Sequence, residues 1–272
     1  MSFLLAASLL AQAAGSAPPP ADLVDIVDAM AEERGDLTPV LVLGTSHLSS
    51  LPKDFPTERF DPLLDELEEW APEAIAIEGI EGVQCDNLRM FDPGNANSYC
   101  PDPEPARAAL GVSMRDAQFG VMDLLAKPAD QRTIAERRRL VGLFLAIGEP
   151  ESALVQWLRL PEGERTAGDD LPAELVAFLE KYDTRLNENV VIAVRLAVRL
   201  GLDRVDRVDD QMSGSDPKDP EAYGSEISAI WDNAPTKQRI AEYEEWDAAM
   251  EDGSMPILEW YRRYNAPASL AL

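Results

Sequence analysis

The sequence predicts an α/β fold: a small, mainly parallel sheet flanked by helices, with a large helical insertion. Two apolar, β-prone runs carry the expectation, Pro39-Val40-Leu41-Val42-Leu43-Gly44 and Ala74-Ile75-Ala76-Ile77-Glu78-Gly79, with one helical pattern between them. Strand, helix and strand in such a short stretch make a βαβ unit, whose strands run parallel. From about residue 105 to 182 the spacing turns helical throughout, the mark of an insertion.

In chain order, residues 1–20 read as a signal peptide and a Pro-rich spacer. An apolar run over 3–10 precedes the small-x-small triplet Ala11-Gln12-Ala13, and Pro18-Pro19-Pro20 follows, although no Lys or Arg stands ahead of the run. The run is too short to cross a bilayer, so the chain is expected to be exported, to the periplasm, without stable membrane insertion. Residues 21–272 form the expected single α/β domain. Leu23, Ile26, Val27 and Met30 share one helix face, ended by Gly35. Residues 62–70 read as a helix with Asp61 as N-cap and Pro62 at its first position. Residues 84–105, rich in Asp, Asn, Gly and Pro, read as a long loop. Helical spacing follows over 107–126, 133–147, 152–159, 172–182 and 187–200. The alternating Asp203-Arg204-Val205-Asp206-Arg207-Val208-Asp209 is a third or edge strand. Helices are expected again over 221–231, 237–250 and 256–264.

A formal charge of -26 repels phosphate backbones, which excludes nucleic acid as a partner unless a basic stripe exists. Arg132, Arg137, Arg138 and Arg139 come nearest to one and read as the polar face of a helix. The acidity equally disfavours anionic lipid, and its plainest account is solubility. Cys85 and Cys100, the only cysteines, are 15 positions apart and read either as a disulfide, natural in an exported chain, or as two unrelated buried thiols. Without a C-x-x-C pattern or a second histidine they do not make a zinc site.

Ligands of parallel sheets bind beyond the carboxyl ends of the strands. The turn Gly44-Thr45-Ser46-His47 stands there after the first strand and contains the only histidine, while Glu78 closes the second. An imidazole beside a carboxylate suits a metal ion or a general acid/base pair. On spacing alone, a lone turn histidine is more often a hydrogen-bonded structural residue than a ligand or catalyst. Asp209, Asp210 and Asp216 around Gly214 lack the spacing of a calcium loop. Ser46, Ser49 and Ser50 lie in no Gly-x-Ser-x-Gly elbow. Trp231, Trp246, Trp260 and Tyr261 read as core, and Glu66, Glu68 and Glu69 as a solvated helix face.

The run from Pro39 to His47 resembles the opening Gly-Thr-x-His strand of the TraB/Tiki superfamily, and Ala74 to Glu78 its second strand, which ends in a functional Glu. Asn187-Glu188-Asn189-Val190-Val191, the helix to Gly201 and Asp203-Arg204-Val205 resemble an uncharacterised bacterial branch, as the stretch from Trp260 to Asn265 does less closely. The resemblance implies a metal-dependent, hydrolase-like site that cuts peptides in the Tiki proteases. His47 would be a metal ligand and Glu78 a ligand or general base, with Gly44, Thr45, Asn187 and Glu188 in support. The cofactor would be a divalent metal such as manganese or zinc. The family's second Gly-x-x-His is absent from this sequence, so the resemblance equally accommodates a truncated or degenerate relative, or a non-catalytic exported binding protein that keeps the fold. Asp206, Asp209 and Asp210 are the carboxylates available to complete an oxygen-rich site.

Overall fold

The computed structural model describes residues 23–35, 38–168, 171–210 and 218–266. The expected signal peptide and spacer, Gly214, Asp216 and Leu272 lie outside these residues. The chain divides into two units, Met1–Leu43 and Gly44–Leu272. In the first, helix α1 (Leu23–Arg34) leads to Gly35, whose N–H returns to the Ala31 carbonyl. Residues 38–43 follow in no regular structure, with Val40 and Val42 79% and 84% exposed. The strand expected over Pro39–Gly44 does not form. An apolar, β-prone run becomes a strand only when neighbouring backbone pairs with it and side chains cover it, and this one has neither among the described residues of its unit.

The second unit is mostly helical around a two-stranded parallel sheet. Helix α2 (Asp61–Trp70) precedes β1 (Ala76–Ile80), which pairs with β2 (Asp206–Asp209). Asp61 sits inside α2, not at its cap, and its carboxylate receives Arg199. Between the strands run α3 (Gly82–Phe91), α4 (Pro93–Tyr99), α5 (Glu104–Leu110), α6 (Met114–Leu125), α7 (Ile134–Ile147), α8 (Pro150–Leu158) and α9 (Ala173–Asp183). A π-helical segment (Asn189–Val194) then runs into α10 (Arg195–Arg199). After β2 come α11 (Pro220–Trp231), α12 (Ala234–Glu251) and α13 (Ile257–Tyr264).

Two local expectations are corrected. The expected loop over 84–105 holds α3 and α4, because its turn-forming residues act as helix punctuation. Asp92 accepts the Asn95 N–H as a cap, and Pro93 opens α4 where its missing N–H costs nothing. Cys85 and Cys100 are joined in a disulfide with Cα atoms 5.7 Å apart, tying α3 to the end of α4 beside Ile80, Leu88 and Ala96. Of the arginines expected on the polar face of a helix, Arg132 and Arg138 are buried internal cross-links instead. Arg132 is 8% exposed and grips the Asp203 carboxylate with both terminal nitrogens, while Arg138 donates to the carbonyls of Glu164 and Thr166. A planar guanidinium satisfies several acceptors at once, so burying it here leaves few donors unpaired.

The core centres on α7 and α8. Leu140 to Ile147 are all buried, as in a helix covered all round. Thr133 and Glu136 cap α7 reciprocally, and the buried Ser152 of α8 donates to the Val205 carbonyl just before β2. Gly82 lies so close to the end of α7 that a Cβ would stand 1.8 Å from the Ile147 carbonyl oxygen. Trp260 and Tyr261 of α13 are buried, whereas Trp231, expected in the core, is 51% exposed on α11.

Candidate functional site

Glu188 organises the site. It immediately precedes the π-helical segment, a rare backbone form that concentrates at functional positions. Its Oε1 stands 3.1 Å from His47 Nδ1, and its Oε2 accepts the Leu48 N–H at 3.2 Å. One carboxylate thus holds both the imidazole and the start of the short 3₁₀ turn Leu48–Ser50. Leu48 is 1% exposed, so the turn is anchored in the interior while the His47 side chain is 77% exposed.

An ionised carboxylate only accepts, so Glu188 assigns the proton to Nδ1 and leaves the Nε2 lone pair of the neutral ring free to act. The same hydrogen bond, then the charge of Glu188, raises the His47 pKa above its ordinary value. Slight burial opposes this, and the charge of Glu78 adds to the rise.

Glu78 lies where β1 carries one residue more than β2 between paired positions. Ile77 faces Arg207 and Ile80 faces Asp209, which makes Glu78-Gly79 a bulge. Bulges re-aim side chains and release backbone groups from the ladder. Asn189 Nδ2 donates to the Glu78 carbonyl at 2.9 Å, and Asn187 Oδ1 accepts the Asn189 N–H at 2.9 Å. Asn187 and Asn189 therefore connect Glu78 to the element that carries Glu188. Gly79 has no side chain where a Cβ would meet Arg207 Nε at 2.6 Å, which lets the guanidinium lie across the bulge.

At the other end of the turn, the Gly44 N–H donates to Asn265 Oδ1 at 2.6 Å and Asn265 Nδ2 returns to the Gly44 carbonyl at 2.9 Å. A side-chain amide thereby satisfies the backbone of Gly44. Thr45 is exposed. Tyr261 places a buried hydroxyl without a hydrogen-bond partner near the site, and burial, helped by the charge of Glu188, pushes its pKa up.

His47, Glu188, Asn187 and Glu78 are thus brought together, and Gly44 is fixed beside them. The disulfide cysteines belong to the α3–α4 pair and touch none of these groups. Asn189, Asn265 and the Tyr261 hydroxyl escaped the assignment of roles from sequence. Both asparagines fall in stretches that carry the resemblance, but a single sequence marks neither as a hydrogen-bonding partner, and Tyr261 reads as an ordinary core aromatic. Ser50 Oγ donates to the His47 carbonyl at 2.8 Å and not to its ring. Among the described residues no three His, Cys, Asp or Glu side chains converge closely enough to hold a metal ion, and no helix is long and apolar enough to cross a membrane.

The chain matches no protein-family model, no curated protein and no solved structure.

Proposed function

We propose that this chain is a hydrolase of peptides or small molecules in which His47, oriented by Glu188, is the general base. The observation that carries the reading is the His47 Nδ1–Glu188 contact with an exposed ring. Neutral His47 accepts a proton at Nε2 from a water, whose oxygen attacks the substrate carbonyl carbon. Glu188 stabilises the imidazolium, and His47 then returns the proton to the leaving group. Glu78 adds negative charge that favours the protonated intermediate state of the ring. The likeness of Gly44-Thr45-Ser46-His47 and Glu78 to TraB/Tiki motifs supports the same reaction class. In that reading the helices between β1 and β2 are an insertion into a small parallel sheet, and the protein works after export to the periplasm.

A divalent metal, manganese or zinc, would find His47 Nε2 and Glu78 as its donors. A catalytic zinc takes three protein ligands, and the described residues do not supply a third beside these two. The donor set does not fit a closed metal centre, so the steps above run through the dyad alone.

Hydrolysis of a peptide library by the purified chain, with and without chelator or added manganese, tests the reading. His47→Ala should lower the rate by about 10²–10⁴-fold. Full activity in that variant would overturn the assignment. A second reading, a non-catalytic binding protein, is favoured by a separate cavity in the helical region.

A further inference from the structure

A cavity of about 590 Å³ opens among α4, α5 and α9; of the groups around the His47 site only Arg207, which lies across the Glu78-Gly79 bulge, also lines it. Ala106, Leu145, Leu175 and Phe178 give it an apolar wall. Its charged lining is balanced, with Arg185 and Arg207 against Asp102 and Glu174, in a chain whose net charge is -26.

The two arginines do different work. Arg207 is locked in place: its Nη1 donates to the carbonyls of Ile80 and Gly148, and its Nε stands 3.4 Å from Glu151 Oε2. Glu151 also accepts the Tyr182 hydroxyl at 2.8 Å. The Arg207 charge is thereby answered from within the protein. Arg185 instead lies over the Tyr182 ring, 4.5 Å from its centre, exposed at the rim. Stacking on an aromatic face steadies a guanidinium and leaves its in-plane donors available to a ligand. Asp102 and Glu174 are the exposed anions of the lining.

A purely anionic ligand would meet the repulsion of the whole chain, and a purely cationic one would meet Arg185. A molecule with one charge of each sign and an apolar body matches the rim and the wall together. The volume is that of a pocket for a ligand of many heavy atoms, within the usual range of about 300–1,000 Å³. That exceeds a single amino acid. We propose that this cavity binds a di- or tripeptide with apolar side chains and free termini, its carboxylate on Arg185 and its ammonium on Glu174 and Asp102.

Calorimetric titration of the full chain with the dipeptide Leu-Phe tests the proposal. The His47→Ala background keeps the outcome independent of any hydrolysis. Free Leu-Phe should bind with a Kd below about 1 mM. Its N-acetyl and C-terminal amide forms should each bind at least about tenfold more weakly, since each loses one charge-assisted pair. Arg185→Gln should erase the preference for the free carboxylate, and Glu174→Gln should reduce the preference for the free amine, of which Asp102 keeps a part. Both residues are exposed, so neither change threatens the core. No binding of Leu-Phe, or equal binding of all three forms, would overturn the proposal.

Discussion

The two nitrogens of His47 are chemically distinct because Glu188 takes one of them. The raised pKa means that the folded chain holds the imidazolium more tightly than the unfolded chain does. The stabilisation this gives is full below the ordinary histidine pKa and is lost as pH rises through the folded value. Glu188→Gln should therefore cost more stability in mildly acid than in alkaline buffer. It should also bring the imidazole titration midpoint, followed by NMR, down towards the ordinary value of 6.5. A base must be neutral to act, so the same variant should move the acid limb of any hydrolysis profile to lower pH. An unchanged midpoint would mean that Glu188 does not hold the ring in solution. Asn265 has a quieter role at the turn, pairing with Gly44 so that the backbone entering His47 is satisfied without a neighbouring strand.

Among the elements, the contact between α3 and α7 is the least forgiving. Gly82→Ala would put a methyl group against the Ile147 carbonyl, where backbone and not a pliable side chain must yield. Overpacking of this kind costs about 1–3 kcal/mol, to be read as a lower denaturation midpoint with an unchanged slope. A variant as stable as the parent would show that α3 can shift away. The sequence revealed the long helices well, since Thr133 with Glu136 and the apolar spacing of α7 are local signals. It revealed the parallel pairing of 206–209 with 76–80 less directly, because neither segment carries its partner in its own pattern. The run over 39–44 misled for a physical reason: residue preference describes what fits a covered sheet, not whether an edge is there to receive it. At the site, His47 and Glu78 were legible as chemistry but not by position: no strand leads into His47, and Glu78 lies inside β1 at its bulge and not at its end. Their link through Asn187, Glu188 and Asn189 depends on a π-helical backbone and a bulge, both made by packing.

For the whole molecule, the disulfide is the one covalent constraint among the described residues. It closes a loop of 15 positions, worth about 3 kcal/mol in the chain-entropy account. Replacing both cysteines by serine should lower the unfolding free energy by an amount of that order. It should also weaken Leu-Phe binding, because Cys100 lines the cavity. Unchanged binding would separate the cavity wall from the staple. The acidity belongs to this scale as well: a net charge of -26 makes copies of the chain repel one another. Because the two cysteines are bonded to each other, neither is a free thiol. A single Thr45→Cys substitution would then create a unique attachment point for a dye or cross-linker beside His47, so that whatever enters the site could be trapped and identified directly.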